Sequence, residues 1–461
     1  MSLGSSSILR TINPSTGETL SEYFIESEED VEKKLLLSST QWRIWKKEKL
    51  SQRQKLLAML AKVLKRNEEE YAKLMSLEMG KPITQSIAEL RKCALLCEYY
   101  AENALQQLSP LSISTEAKKS YVSFEPLGNI LGVMPWNFPF WQVFRFAVPT
   151  LLCGNTAMLK HASNVPGCAQ AIEKIFLEAG FPEGVFQNLI IPAERVSSLI
   201  ADSRVQGVSL TGSEKAGRAV ASAAGLNLKK SLLELGGSDP YVVLKDCDLE
   251  LAAESCVNSR LINSGQSCIA AKRFIVESPI YKEFLSLVVE KMNSKKIGDA
   301  LSRETKIGPL ARDDLRKTVH EQVEKSAQEG ADLILGGKIL DGPGAFYPCT
   351  VLAHVRKGMR VYEEECFGPV ASVIKAKDQQ EAIDIANDTS YGLGAAVFTK
   401  DLEKGERIAR EELQAGSCFV NQFVKSDPRL PFGGIRNSGY GRELGLFGIR
   451  EFANIKTISL A

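Results

Sequence analysis

Val208-Ser209-Leu210-Thr211-Gly212-Ser213-Glu214-Lys215-Ala216-Gly217-Arg218 reads as a β-strand, a glycine turn and the first turn of a helix. A junction of that kind presents unpaired backbone N–H groups at a helix start, where a phosphate can sit. It lacks the G-x-G-x-x-G spacing, and two glycines five residues apart, Gly212 and Gly217, also fit a plain strand-to-helix turn. Its surroundings decide the fold. Strand and helix alternate as strand 156–160, helix 165–179, strand 185–191, helix 194–202, strand 205–210, helix 214–224 and strand 230–235. That order predicts an open, mostly parallel α/β sheet. Such sheets bind ligands beyond the carboxyl ends of their strands. The residues to read are therefore Lys160-His161-Ala162-Ser163, Thr211-Gly212-Ser213 and Glu234-Leu235-Gly236-Gly237. Lys160, at a strand end, suits a ribose or phosphate, although an ordinary solvated lysine gives the same pattern.

On the amino-terminal side, residues 28–80 read as helices, with Leu56, Leu57, Leu60, Val63 and Leu64 forming one apolar stripe that Gly80 and Pro82 bring to an end. Residues 110–126 read as an extended ribbon whose free edge invites subunit pairing. On the other side lies a second α/β region, with strands near 272–276, 332–335 and 370–374 and a helix near 313–329. The glycine-dense tail returns to β-prone residues at 452–460.

A chain of 461 residues is long enough for two or more domains. Lys+Arg 57 against Asp+Glu 56 leaves a net charge of +1, which gives no bulk attraction to nucleic acid or an anionic membrane. Ten cysteines show no paired spacing for a metal, and three histidines leave little for a zinc or Cys–His mechanism, so no metal is expected. Met1–Ser7 lacks a basic region followed by an apolar core, and no apolar run approaches the ~18 residues of a membrane span. The expectation is a soluble, cytoplasmic protein.

Asn258 to Ala271 is a small polar stretch carrying one thiol, Cys268. A free thiol with pKa near ~8.5 is only a few per cent thiolate at neutral pH, so a nucleophilic cysteine needs help from amides, charge or a base. Gly265 and Ser267 would let backbone N–H groups approach a substrate. A small buried hydrophobe is the competing reading of Cys268.

Five motifs stand in order along nearly the whole chain: Pro135-Trp136-Asn137-Phe138-Pro139, Leu233-Glu234-Leu235-Gly236-Gly237, Gly265-Gln266-Ser267-Cys268, Glu365-Cys366-Phe367-Gly368-Pro369 and Pro431-Phe432-Gly433-Gly434. Together they resemble the aldehyde dehydrogenase superfamily. The resemblance implies a Rossmann-type cofactor domain (1–107 and 127–236), an α/β catalytic domain (237–445) and a small β oligomerisation arm (108–126 and 446–461), assembled as a homodimer or homotetramer. It implies that Cys268 attacks an aldehyde, that the Asn137 amide and the Cys268 N–H hold the oxyanion, and that Glu234 activates the water that hydrolyses the thioester. NADP or NAD would contact Trp136, Lys160, Ser163, Gly212, Ser213, Gly217, Leu235, Glu365 and Phe367.

Two departures from the family pattern carry information. His161 follows Lys160 where proline is common, and Ser163 stands where many NAD-preferring members have glutamate. A glutamate there would repel a 2′-phosphate, whereas serine can donate to it, so NADP should be accepted and is the expected preference. Residues 160–164 and 424–430 are similar to the bacterial succinate-semialdehyde dehydrogenase group. The physical support for that group is Arg145, set among Trp141, Phe144 and Phe146, where a guanidinium needs an anionic partner. That partner is either a substrate carboxylate or a protein Asp or Glu. Ser426 is a second candidate donor, and Trp141 and Phe423 either line the aldehyde tunnel or pack the core. Other semialdehydes, neutral aliphatic or aromatic aldehydes, CoA-dependent acyl transfer and a non-catalytic cofactor-binding protein are the rivals. Glu234 argues against acyl transfer to CoA, and the joint presence of Cys268, Asn137 and Glu234 against lost catalysis.

Overall fold

The computed structural model describes residues 8–461, so the reading of Met1–Ser7 lies outside the described residues. The expected alternation builds a six-stranded sheet. Its order is Gly439–Tyr440, Lys230–Glu234, Val205–Thr211, Asn129–Met134, Thr156–His161, Phe186–Asn188, and all pairs are parallel except the first. Its middle strand, Asn129–Met134, precedes the alternation read from the sequence. Almost every residue in it is buried, so it shows no polar–apolar period to read. Chain direction across the sheet reverses between Asn129–Met134 and Val205–Thr211, a topological switch point that opens a crevice at their carboxyl ends.

A second sheet has seven strands in the order Asp332–Leu335, Thr350–Ala353, Val370–Ala376, Ala271–Glu277, Asp239–Val243, Gly394–Phe398, Ser417–Val420, antiparallel only at its first pair. Cys268 sits just before the amino end of Ala271–Glu277. The nucleophile candidate thus lies at the amino edge of one sheet and faces the carboxyl edge of the other, and only Leu235–Ser238 separate Lys230–Glu234 from Asp239–Val243.

The 110–126 ribbon is present as Leu111–Ile113 and Lys119–Pro126, and Ala453–Leu460 pairs antiparallel along the whole of the latter. Leu111, Ile113, Ile455 and Leu460 are exposed on this three-stranded sheet. Gly80, in the left-handed region at φ 78°, ends the helix Glu68–Met79. A further helix of 25 residues, Ile83–Gln107, starts directly after Pro82 and packs on Leu50–Arg66 and Trp141–Cys153. Among the described residues no helix is long and apolar enough to cross a membrane.

Candidate active site

The loop before Cys268 turns sharply. Asn263, Ser264 and Gly265 all have positive φ, of 52°, 55° and 81°. For the two non-glycine residues this backbone is uphill by roughly 1–3 kcal/mol each and persists only where the surroundings over-determine it. They do so here. The Asn263 amide donates to the carbonyls of Asn137 (2.7 Å) and Gln266 (3.2 Å), and its N–H donates to Gln85 Oε1 at 2.7 Å. Ser264 exchanges hydrogen bonds with Gly308, and Gln266 Oε1 accepts from the Ala311 N–H. Gly265 has a packing reason as well: a Cβ there would lie 2.8 Å from the Pro369 nitrogen, so the glycine permits backbone to meet backbone. Lys272, fully buried, donates to the carbonyls of Ser267 (2.9 Å) and Cys268 (2.6 Å) and pairs with Glu365 at 3.2 Å. One ammonium therefore ties the thiol's backbone to Glu365.

Asn137 reaches this loop from the strand end at Met134. Its amide donates to the Gln266 carbonyl at 3.0 Å, and its oxygen accepts from Gln142 at 3.1 Å. Its second amide N–H has no acceptor among the described residues. The loop carrying Asn137 is fixed by His161, whose Nδ1 accepts from the Ala162 N–H and whose Nε2 then donates to the Pro139 carbonyl, both at 2.9 Å. Burial pushes that imidazole down to about 4, which keeps it neutral. The helix Trp141–Cys153 has no side-chain cap of its own. Glu89, from Ile83–Gln107, accepts both the Phe140 and Trp141 N–H groups at 2.9 Å and pairs with buried Lys81.

Glu234 is buried, and neither of its carboxyl oxygens has a hydrogen-bond partner. Burial raises its pKa well above the usual carboxylate range, and the charge of Arg145 acts against that rise. Gly433 is close: a Cβ there would lie 2.8 Å from Glu234 Oε1. Burial likewise pushes the Cys268 thiol up to about 12, with Lys272 and Arg145 opposing. Arg145 itself forms an ion pair with Glu443, both side chains being almost completely buried. Its guanidinium lies 4.7 Å from the centre of the Phe432 ring and donates to Thr211 Oγ1 at 3.4 Å. The anionic partner that its aromatic surroundings demand is thus supplied within the protein.

Cys268 opens into a cavity of about 440 Å³ whose walls include Phe138, Trp141, Arg145, Phe423 and Ser426. Most of this wall is apolar. On the opposite side of the thiol, Glu365 Oε1 accepts the Gly237 N–H at 3.1 Å, and Trp136 and Phe367 meet edge to face at 5.9 Å. Gly236 makes that approach possible, because a Cβ there would lie 3.1 Å from the Glu365 carboxyl carbon. Ser213 begins the helix Glu214–Leu226, and its hydroxyl accepts from the Ala216 N–H at 3.4 Å. Lys160 is buried without a hydrogen-bonding partner among the described residues, and burial lowers its pKa. Ser163 is exposed beside it. A free ammonium, a helix start and no carboxylate at position 163 fit a dinucleotide with a phosphorylated ribose. Gly217 has a packing reason besides: a Cβ there would lie 2.6 Å from Leu235 Cδ1.

The aldehyde dehydrogenase family pattern matches residues 3–458. The chain belongs to the aldehyde dehydrogenase family. It is 48% identical over 453 residues, 98% of this chain and all of the other, to a Synechocystis protein named "Probable succinate-semialdehyde dehydrogenase", with NADP(+) in its name. It is 46% identical over 448 residues, 97% of each chain, to an Escherichia coli succinate semialdehyde dehydrogenase whose name gives NAD(P)+. Its fold is similar to that of succinic semialdehyde dehydrogenase from Streptococcus pyogenes in complex with NADP+, with a TM-score of 0.96, 38% identity, and 98% and 99% of the two chains covered.

This aldehyde dehydrogenase brings Cys268, Asn137 and Glu234 to the meeting of its two sheets, and Trp141, Arg145, Phe423 and Ser426 to one cavity. Sequence reading passes over Lys272, Glu89, Glu443 and Lys92. Lys272, four residues after the thiol, is within reach of a local reading. The other three are made relevant only by tertiary packing.

Proposed function

We propose that the enzyme oxidises succinate semialdehyde to succinate through Cys268, with NADP accepted and preferred. The observation that carries this reading is the charge of the cavity. Its carboxylate, Glu89, is neutralised by Lys81, and its guanidinium, Arg145, by Glu443. Lysines make up the balance, so the cavity is positive and mostly apolar, matched to a short chain ending in an anion. The names and near-complete coverage of its relatives point to the same substrate.

In this reading the Cys268 sulfur bonds to the aldehyde carbon, and the free Asn137 amide N–H with the Cys268 N–H stabilises the oxygen that becomes negative. Glu234, as its carboxylate, accepts a proton from the water that attacks the cysteine-bound acyl group, and the acid leaves as the Cys268 thiol is restored. Its raised pKa makes it an effective base once that water is bound, and Arg145 nearby favours the charged form. A nicotinamide dinucleotide, when bound, accepts the hydrogen and two electrons by which the cysteine adduct becomes a thioester. Lys160, Ser163 and the helix start at Glu214 would hold its adenosine end, and Glu365 and Phe367 its nicotinamide end. Residues 1–107 with 127–236 would form the cofactor domain, 237–445 the catalytic domain, and 108–126 with 446–461 the arm of a cytoplasmic homo-oligomer, where the exposed apolar residues of the three-stranded sheet would be covered.

Initial rates for succinate semialdehyde and butanal, each with NADP and NAD, test the proposal. The expected result is a higher kcat/KM for succinate semialdehyde and for NADP. Equal kcat/KM for the two aldehydes would overturn the substrate assignment.

A further inference from the structure

The four charged side chains on the cavity wall are Glu89, Lys92, Arg145 and Lys425. Glu89 and Arg145 have buried partners of opposite charge, and Lys425 is exposed. Lys92 differs from all three. It is partly buried on the helix Ile83–Gln107, and no carboxylate pairs with it among the described residues. Its ammonium donates to Ser426 Oγ at 2.7 Å and lies 4.1 Å from the centre of the Trp141 ring. Two of its three N–H groups are left without acceptors.

Ser426 sharpens the case. Its oxygen also accepts from Trp141 Nε1 at 3.1 Å, so both acceptor positions of the hydroxyl are used. The hydroxyl proton is then free to donate, and no protein acceptor receives it among the described residues. Ser426 is itself buried. A partly desolvated ammonium and a hydroxyl forced to donate, side by side on one cavity wall, form a site for an anion with two acceptor oxygens. Lys92, Ser426 and Cys268 line one cavity, so a bifunctional substrate held on the thiol shares that cavity with the pair.

We propose that Lys92, with the Ser426 hydroxyl, receives the carboxylate of the substrate, and that Arg145 is held by Glu443 near the reacting end. The assignment rests on the succinate semialdehyde reading above and names the residue that makes the selection. Burial and the charge of Arg145 push the Lys92 ammonium down to about 8, the direction expected of a cation awaiting an anion.

The test compares kcat/KM for succinate semialdehyde and butanal in wild type and in Lys92→Met, which keeps the apolar stem and removes the charge. The ratio of the two should fall on the order of ten- to a hundredfold, the loss carried mainly by KM for succinate semialdehyde. A ratio unchanged in the variant while wild type discriminates would overturn the role of Lys92 and leave the substrate reading intact. A wild-type ratio near unity would sink the substrate reading itself, and the Lys92 assignment with it. A second measurement needs no variant. Because kcat/KM reports the free enzyme, the wild-type ratio should be high below pH about 8 and decline above it as Lys92 loses its proton. The groups around Lys92 are Glu89, Arg145 and Asp427, each paired within the protein, and the thiol of Cys93, whose pKa burial raises; Cys268 and Glu234 act on both substrates and cancel in the ratio. A flat ratio across that range would contradict the proposal.

Discussion

The two sides of Cys268 are built differently. On the cofactor side, Lys160 and Ser163 lie at the end of Thr156–His161 and Gly212 and Ser213 follow Val205–Thr211, two parallel strands that flank Asn129–Met134, and each residue is placed by the backbone that carries it. On the cavity side, the wall joins the thiol loop to distant segments that include one face of the helix Ile83–Gln107, the helix Trp141–Cys153, residues 423–426 and Phe432. The first arrangement is local and repeats with the sheet. The second exists only after packing, and a residue there has a role only in relation to partners hundreds of positions away, as Arg145 has to Glu443.

The largest effect expected is at the junction of the two sides. Cys268→Ala should abolish aldehyde oxidation while leaving dinucleotide binding measurable by fluorescence titration, and a reduced-cofactor burst like that of wild type would remove the thiol from the mechanism. Glu234→Gln should slow hydrolysis of the acyl-enzyme by roughly a hundredfold or more, leaving a burst of about one equivalent ahead of slow turnover. If burst and steady state fall together, Glu234 acts before the acyl-enzyme.

Arg145 and Lys92, both on the cavity wall, should differ in what they contribute to stability. Arg145→Leu leaves Glu443 buried and unpaired, so unfolding should show a loss of about 3–5 kcal/mol, partly recovered in the double variant with Glu443→Leu. Lys92→Met leaves no stranded charge and should unfold much as wild type does. Equal losses in the two single variants would undo the distinction between a matched and an unmatched cation. The smallest effect is on the cofactor side: Ser163→Glu should lower kcat/KM for NADP relative to NAD on the order of tenfold, by setting a carboxylate against the 2′-phosphate. An unchanged ratio would show that other residues read that position.

The same division explains what the sequence discloses. Alternating strands and helices from 156 to 235 are legible because each element carries its own period and turn residues, and the thiol loop is legible because its motif is contiguous. The strand Asn129–Met134 is hidden because both its faces are buried. Arg145 is visible as a charge among aromatics, but sequence leaves open whether substrate or protein satisfies it, and Glu443 stands 298 residues away. Lys92 gives no local sign at all. It lies one turn beyond Glu89, whose carboxylate caps a helix that offers no cap of its own. Even the His161 departure acquires its reason only through the Pro139 carbonyl, which that ring holds in place.

The most direct test of the account is to mix the Glu234→Gln enzyme with succinate semialdehyde and NADP, quench during the slow phase and map adducts by mass spectrometry. A succinyl group, labile to hydroxylamine, should be found on the peptide containing Cys268 and on none containing the other nine cysteines. An unmodified Cys268 after a full burst, or a succinyl group on a different residue, would contradict it.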